Sequence, residues 1–164
     1  MAFTVEDGTG VESANSYVAV ADADTYFDDR GNATWTGADS VKQAALIKAT
    51  AYLDGTYRKI WIGTIGATQG LSWPRSYAYD EYGTLIESVP QRVEDAVCEL
   101  AVLALSTALS PELTRGGKVK KVKAGPVEKE YMDGAPALTR YPVVENLIND
   151  LISGSLANVP ITRV

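Results

Sequence analysis

Between Pro90 and Leu109, apolar residues recur at helical spacing on every side of the helix that they would form. Val93, Ala96, Val97, Leu100, Ala101 and Ala104 follow the i, i+3, i+4, i+7, i+8, i+11 rhythm, and Cys98, Val102, Leu105 and Leu109 fill the other side. A helix apolar all round cannot lie on a wet surface. It predicts the centre of a bundle, and everything else in the chain must be arranged to cover it. Pro90 suits a first turn, and Glu94, Asp95 and Glu99 complement the positive end of the helix dipole.

Three further segments can supply the cover. A short helix over 20–30 would bury Ala23, Tyr26 and Phe27, leave Asp24, Asp28 and Asp29 wet, and stop at Gly31. A second over 41–53 opens on Ser40 and Gln43, spaced as a capping box. Its apolar stripe is Ala44, Ile47 and Ala51, widened by Leu46, Ala49, Tyr52 and Leu53, and Gly55 is its expected stop. A last helix over 142–152 carries Val144, Leu147, Ile148, Leu151 and Ile152. Between 56 and 90, glycines and prolines break every long period while tyrosines and tryptophans accumulate, which predicts a long, ordered and packed loop. Lys118, Lys120, Lys121 and Lys123 alternate with Val119 and Val122, then Gly125-Pro126 leads into Val127 to Tyr131, which reads as a β-hairpin. The expected fold is therefore mainly α: about four helices in one domain spanning 1–164, with a protruding hairpin near 118–131. An extended or mobile N-terminal arm (1–15) and a C-terminal tail (155–164) flank the bundle of 16–154.

Composition excludes whole classes of chemistry. The chain has no histidine, which removes the commonest general base and metal ligand. Cys98 is its only cysteine and sits in an apolar run, where a small buried hydrophobe is expected. The acids at Asp22, Asp24, Asp28 and Asp29 lack the spacing of a calcium loop, and the glycines at 63, 66 and 70 lack the Lys-Ser/Thr of a phosphate loop. No enzyme activity, metal or cofactor is expected. Lys and Arg number 15 against 21 for Asp and Glu, a net charge of -6, so the chain as a whole is not drawn to a polyanion. Glu6 and Asp7 stand where a signal peptide needs positive charge, and no apolar run approaches the ~20 residues of a membrane span. A protein made in a cytoplasm, with no membrane partner, is expected.

Several segments occur in a specific order: Ser16-Tyr17-Val18, then Ala45-Leu46-Ile47-Lys48-Ala49-Thr50-Ala51-Tyr52-Leu53-Asp54, then Gln69-Gly70-Leu71-Ser72-Trp73-Pro74-Arg75. Val89-Pro90 and Ala96-Val97-Cys98-Glu99-Leu100-Ala101 follow. This string, over roughly 16–131, resembles the head–tail connector (adaptor) proteins of tailed bacteriophages, in a branch often labelled DnaT-like single-stranded-DNA-binding. Ala19 departs from the pattern, since relatives tend to carry a helix-capping Ser there. The resemblance implies a structural virion protein of the neck, assembled as a ring, commonly of twelve copies, below the portal. Its partners would be copies of itself, the portal protein and a downstream neck or tail protein, with at most non-specific contact to channel DNA. The label implies the alternative, a single-stranded-DNA-binding replication protein.

Three groups of residues are candidates for contact. Trp73, Pro74 and Arg75 are either an interface element or a core anchor in which Arg75 pairs with a carboxylate such as Glu94 or Asp95. Lys118, Lys120, Lys121 and Lys123 belong to a solvated hairpin arm, an inter-subunit or portal contact, or a weak phosphate contact that fades with salt. In the tail, Leu156, Val159, Ile161 and Val164 are spaced for an extended strand and Arg163 offers a charged anchor, so it is expected either to dock on the portal or a neighbour or to be a solvated tail without a role.

Overall fold

Helix α3 (Gln91–Ala104) packs on each of the other helices, α1 (Val20–Asp29), α2 (Asp39–Tyr57) and α4 (Pro142–Ile148). The computed structural model describes residues 2–110, 119–123, 128–131 and 140–153. Val93, Ala96, Val97, Leu100 and Ala101 are fully buried on α3, and Cys98 on its other side is buried too. Val102 and Leu105 are only half-buried and Leu103 is exposed, so α3 is the centre of a small, mainly α bundle through one broad face and is not buried all round. Pro90 stands just outside it in extended conformation, as the N-cap. The helix stops at Ala104, short of the expected Leu109, and the hydroxyls of Ser106 and Thr107 donate to the Leu103 carbonyl. Such local bonds offer the backbone an alternative to another helical turn. Leu109 remains buried, and its carbonyl accepts the Tyr141 hydroxyl at 2.9 Å.

Helix α1 starts at Val20 with Ala19 as N-cap and no side-chain cap bond, as the departure at Ala19 implies. Ala23 and Phe27 are buried, and Tyr26 is half-buried with its hydroxyl donating to Glu99 at 2.8 Å. Gly31, at φ 60°, ends the helix in the left-handed conformation that glycine adopts freely. Asp24 is not simply wet: its carboxylate accepts Trp35 Nε1 at 2.6 Å and Lys42 Nζ at 2.8 Å, and these bonds hold it below the usual carboxylate range.

Helix α2 differs from expectation in two ways. It begins at Asp39 behind Ala38, so Ser40 lies inside the first turn and caps nothing, and it runs through Gly55 to Tyr57. Its buried face is Ala45, Leu46, Ala49, Thr50, Leu53, Asp54 and Tyr57, whereas Ala44 and Ala51 are exposed. Apolar spacing missed this rotation because two polar residues, Thr50 and Asp54, belong to the inside.

The N-terminal segment is extended, as expected, but fixed. Buried Glu6 gathers the backbone amides of Gly8, Gly10 and Val11 at 3.0, 2.8 and 2.9 Å. Val5 bridges Ser16, and Asn15 Oδ1 accepts the Thr4 amide at 3.0 Å. The long loop holds two short antiparallel strands, β1 (Thr64–Ile65) and β2 (Arg75–Ser76). β3 (Val119–Lys123) and β4 (Glu128–Tyr131) pair antiparallel as the hairpin. After α4, a 3-10 turn over Asn149–Leu151 leads to Ile152, which bridges Trp61 and brings the chain back against the loop.

Candidate functional site

The Trp-Pro-Arg segment is held from below by Asp54. One Asp54 oxygen accepts the Tyr17 hydroxyl at 2.8 Å, and the other accepts the Ser72 amide at 2.8 Å. The Tyr17 oxygen in turn accepts the Trp73 amide at 3.1 Å. Burial pushes both Asp54 and Tyr17 above their ordinary values, and for Asp54 it outweighs the bonds that favour the anion. Trp73 is fully buried, edge-on to Trp61 at 5.9 Å, and the Trp73–Pro74 peptide is cis. Arg75 pairs with no carboxylate in the way expected for Glu94 or Asp95. Its Nε, Nη1 and Nη2 donate to the carbonyls of Ile62, Ser72 and Gly63 at 2.7, 3.2 and 3.0 Å. The segment therefore faces the core, and its work is to fix the loop that continues from it.

That loop carries the largest exposed rings among the described residues. Tyr77, Tyr79 and Tyr82 are 74%, 51% and 84% exposed, beside Leu85, whereas Tyr57, Trp61 and Trp73 in the same stretch are buried. The aromatic crowding is thus only half a packed loop; the other half is surface. Residues 78–86 form a miniature hairpin: the Ile86 amide donates to the Ala78 carbonyl and the Asp80 amide to the Thr84 carbonyl, both at 2.9 Å. Asp80 Oδ1 accepts the amides of Tyr82 and Thr84 at 2.9 and 2.7 Å, and Gly83 takes φ 79° at the turn. Buried Ala78 anchors the base, and Tyr77 is held at φ 57°, unusual for a residue with a side chain. A shallow hollow of about 400 Å³ is lined by Tyr77, Tyr79, Leu85 and Ile86 together with Arg75, Ser76 and Glu87.

The lysine run is placed in part. Lys120, Lys121 and Lys123 lie on β3, and Lys118 falls outside the described residues. The register sets Lys121 opposite Glu130 and Lys123 opposite Glu128, with an irregularity between Val119 and Lys121. By register, then, the basic strand runs beside one that carries two acids. Leu156, Val159, Ile161, Arg163 and Val164 also lie outside the described residues.

Among the described residues, no group of acidic or cysteine side chains could hold a metal ion, and no helix is long and apolar enough to cross a membrane. Sequence reasoning missed Asp54, Tyr17 and Glu6 as organising residues. Only their place beside apolar helix positions and glycines could have marked them. Compared with known proteins, residues 1–164 match the family model described as "Putative DnaT-like ssDNA binding protein". No curated protein and no solved structure matches.

Proposed function

The chain belongs to the family of putative DnaT-like ssDNA-binding proteins, and from that membership we propose that it binds single-stranded DNA without sequence preference and without catalysis. Of the two functions implied by the sequence resemblance, the family description supports this one. The structural observation that carries it is the exposure of Tyr77, Tyr79 and Tyr82 together on one small hairpin. Sequence-tolerant binding of single strands relies on aromatic faces, because every base has a π-face to stack on them. Fluorescence anisotropy with a labelled oligothymidylate tests the reading. Saturable binding that unlabelled single strand competes away, and duplex does not, is expected. An absence of binding at low salt would overturn it.

A second reading is favoured by the hairpin register. A lysine strand set in register beside one that carries Glu128 and Glu130, in a chain of net charge -6, is a poor tether for a polyanion and suits a charge-complementary neighbour such as a second copy. On this reading the chain is a ring subunit of a phage neck, made in the host cytoplasm and seated between the portal and the next neck or tail protein. Native mass measurement is then expected to find a closed ring alone or on portal-bearing heads. A monomer in both settings counts against it.

A further inference from the structure

We propose that the hollow beside Tyr77, Tyr79 and Leu85, with Tyr82 at the tip of the same hairpin, is the site that takes unstacked bases. The inference rests on the single-stranded-DNA reading and deepens it by naming where the strand is held and by which part of the nucleotide. At about 400 Å³ the hollow falls in the range of small-ligand sites, and Tyr77, Tyr79, Leu85 and Ile86 give it an apolar part beside the polar Arg75, Ser76 and Glu87. Its form does not depend on a ligand arriving. The Asp80 carboxylate fixes the turn, Ala78 is locked below, and Arg75 is immobilised on carbonyls of the adjoining segment. Rings presented on such a frame lose little freedom on binding, which favours stacking.

The charges around it decide which part of the strand is gripped. Arg75 is the cation in the lining; each of its nitrogens already donates to a carbonyl, which holds it in place, and Glu87 in the same lining offsets its charge towards a phosphate. Asp80 and Glu81, in the turn itself, add more negative charge. A phosphate backbone finds no track here. A base presents an uncharged face and is indifferent to the acids. Duplex DNA hides its base faces in the stack, so the site selects single strands by accessibility. Because few phosphates are neutralised, few counterions are released, and the affinity should change little with salt. Binding through the lysine hairpin would behave in the opposite way.

The experiment uses the full chain and two labelled probes, an oligothymidylate and an abasic strand of equal length and charge. Wild type is expected to bind the thymidylate at least about fivefold more tightly than the abasic strand, with a shallow salt slope. The double variant Tyr77→Ala/Tyr79→Ala should lose at least about fivefold, while Tyr77→Phe/Tyr79→Phe, which keeps the rings, retains wild-type affinity. Unchanged thermal melting of both variants shows that the core is intact. If wild type binds thymidylate but the alanine variant binds it equally well, the site is overturned and the DNA-binding reading survives. Equal affinity for the two probes, or loss on Lys121→Ala/Lys123→Ala instead, likewise moves the contact to phosphate and overturns the site. If wild type binds neither probe, both inferences fall.

Discussion

Asp54 sits one helical turn from the end of α2, buried, and joins the N-terminal segment to the loop through Tyr17 and Ser72. Its carboxyl is held above the ordinary value by burial, so the folded chain retains a proton there that the unfolded chain has already released. The stability this contributes is complete below the ordinary carboxylate value near 3.9 and is lost as pH rises through the raised folded-state value. Asp54→Ala, which leaves the buried Tyr17 hydroxyl and Ser72 amide without their partner, should cost about 1–3 kcal/mol. The advantage of wild type over this variant, followed by urea denaturation across pH, is expected to be greatest in acid and to shrink through that window. A constant difference would place the carboxyl at its ordinary value. Leu100 is the apolar counterpart: fully buried at the centre of α3, it should cost about 2–5 kcal/mol when cut to alanine. A change within error in the same assay would remove α3 from the centre. Leu100 was legible in the sequence because hydrophobic spacing reports burial directly. Asp54 was not, since a lone acid on a helix resembles a solvated one until its partners, far away in the chain, are in place.

At the scale of elements, the helices were the readable part. Their existence and approximate extents follow from apolar spacing, but their ends do not, because caps and local hydroxyl bonds act over single residues. α2 shows this best: Gly55 looks like a stop, yet the helix passes through it with open space around the α-carbon. Gly63 looks no different in sequence, but it holds φ 72° and an added Cβ would lie 2.7 Å from the Ser76 carbonyl oxygen. Alanine should therefore have opposite effects at the two sites. Gly55→Ala is expected to raise stability by up to ~1 kcal/mol, as alanine is the better helix former. Gly63→Ala should lower it by about 1–3 kcal/mol, since both the backbone and the strand beside it resist. Paired thermal melts check this, and a shift of the same sign in both would show that the loop accommodates the methyl group. The tyrosine hairpin at 78–86 was hidden from the sequence for a related reason. Aromatic content says that rings are present, but only the Asx turn at Asp80 and the anchor at Ala78 decide which of them face outward.

For the whole molecule, net charge separates the two functional readings. A chain of charge -6 is not drawn to DNA as a whole, so it binds DNA through a local grip or else assembles with protein instead. The neck reading makes a further demand on the tail. Deleting Asn158 to Val164 should leave the thermal transition nearly unchanged and abolish attachment to portal-bearing heads. A truncated chain that still attaches would remove the docking role from Leu156, Val159, Ile161, Arg163 and Val164. A lowered transition would instead assign the tail to the folding unit.

Cys98 gives this fold a built-in clock. The thiol lies in the core on α3, and burial pushes it up to about 12, with the acids at Asp95, Glu94 and Glu99 adding to the effect. It is the only cysteine, so any modification by a thiol reagent has one address. In the closed bundle, at neutral pH, the sulfur is both shielded and protonated, hence inert. Each labelling event therefore counts an excursion in which the central helix parts from its neighbours. The labelling rate, set against that of the unfolded chain, converts into the free energy of that opening. A single mass measurement over time would follow it with the protein in its native buffer, and adding DNA or a partner would show at once whether either keeps the bundle shut.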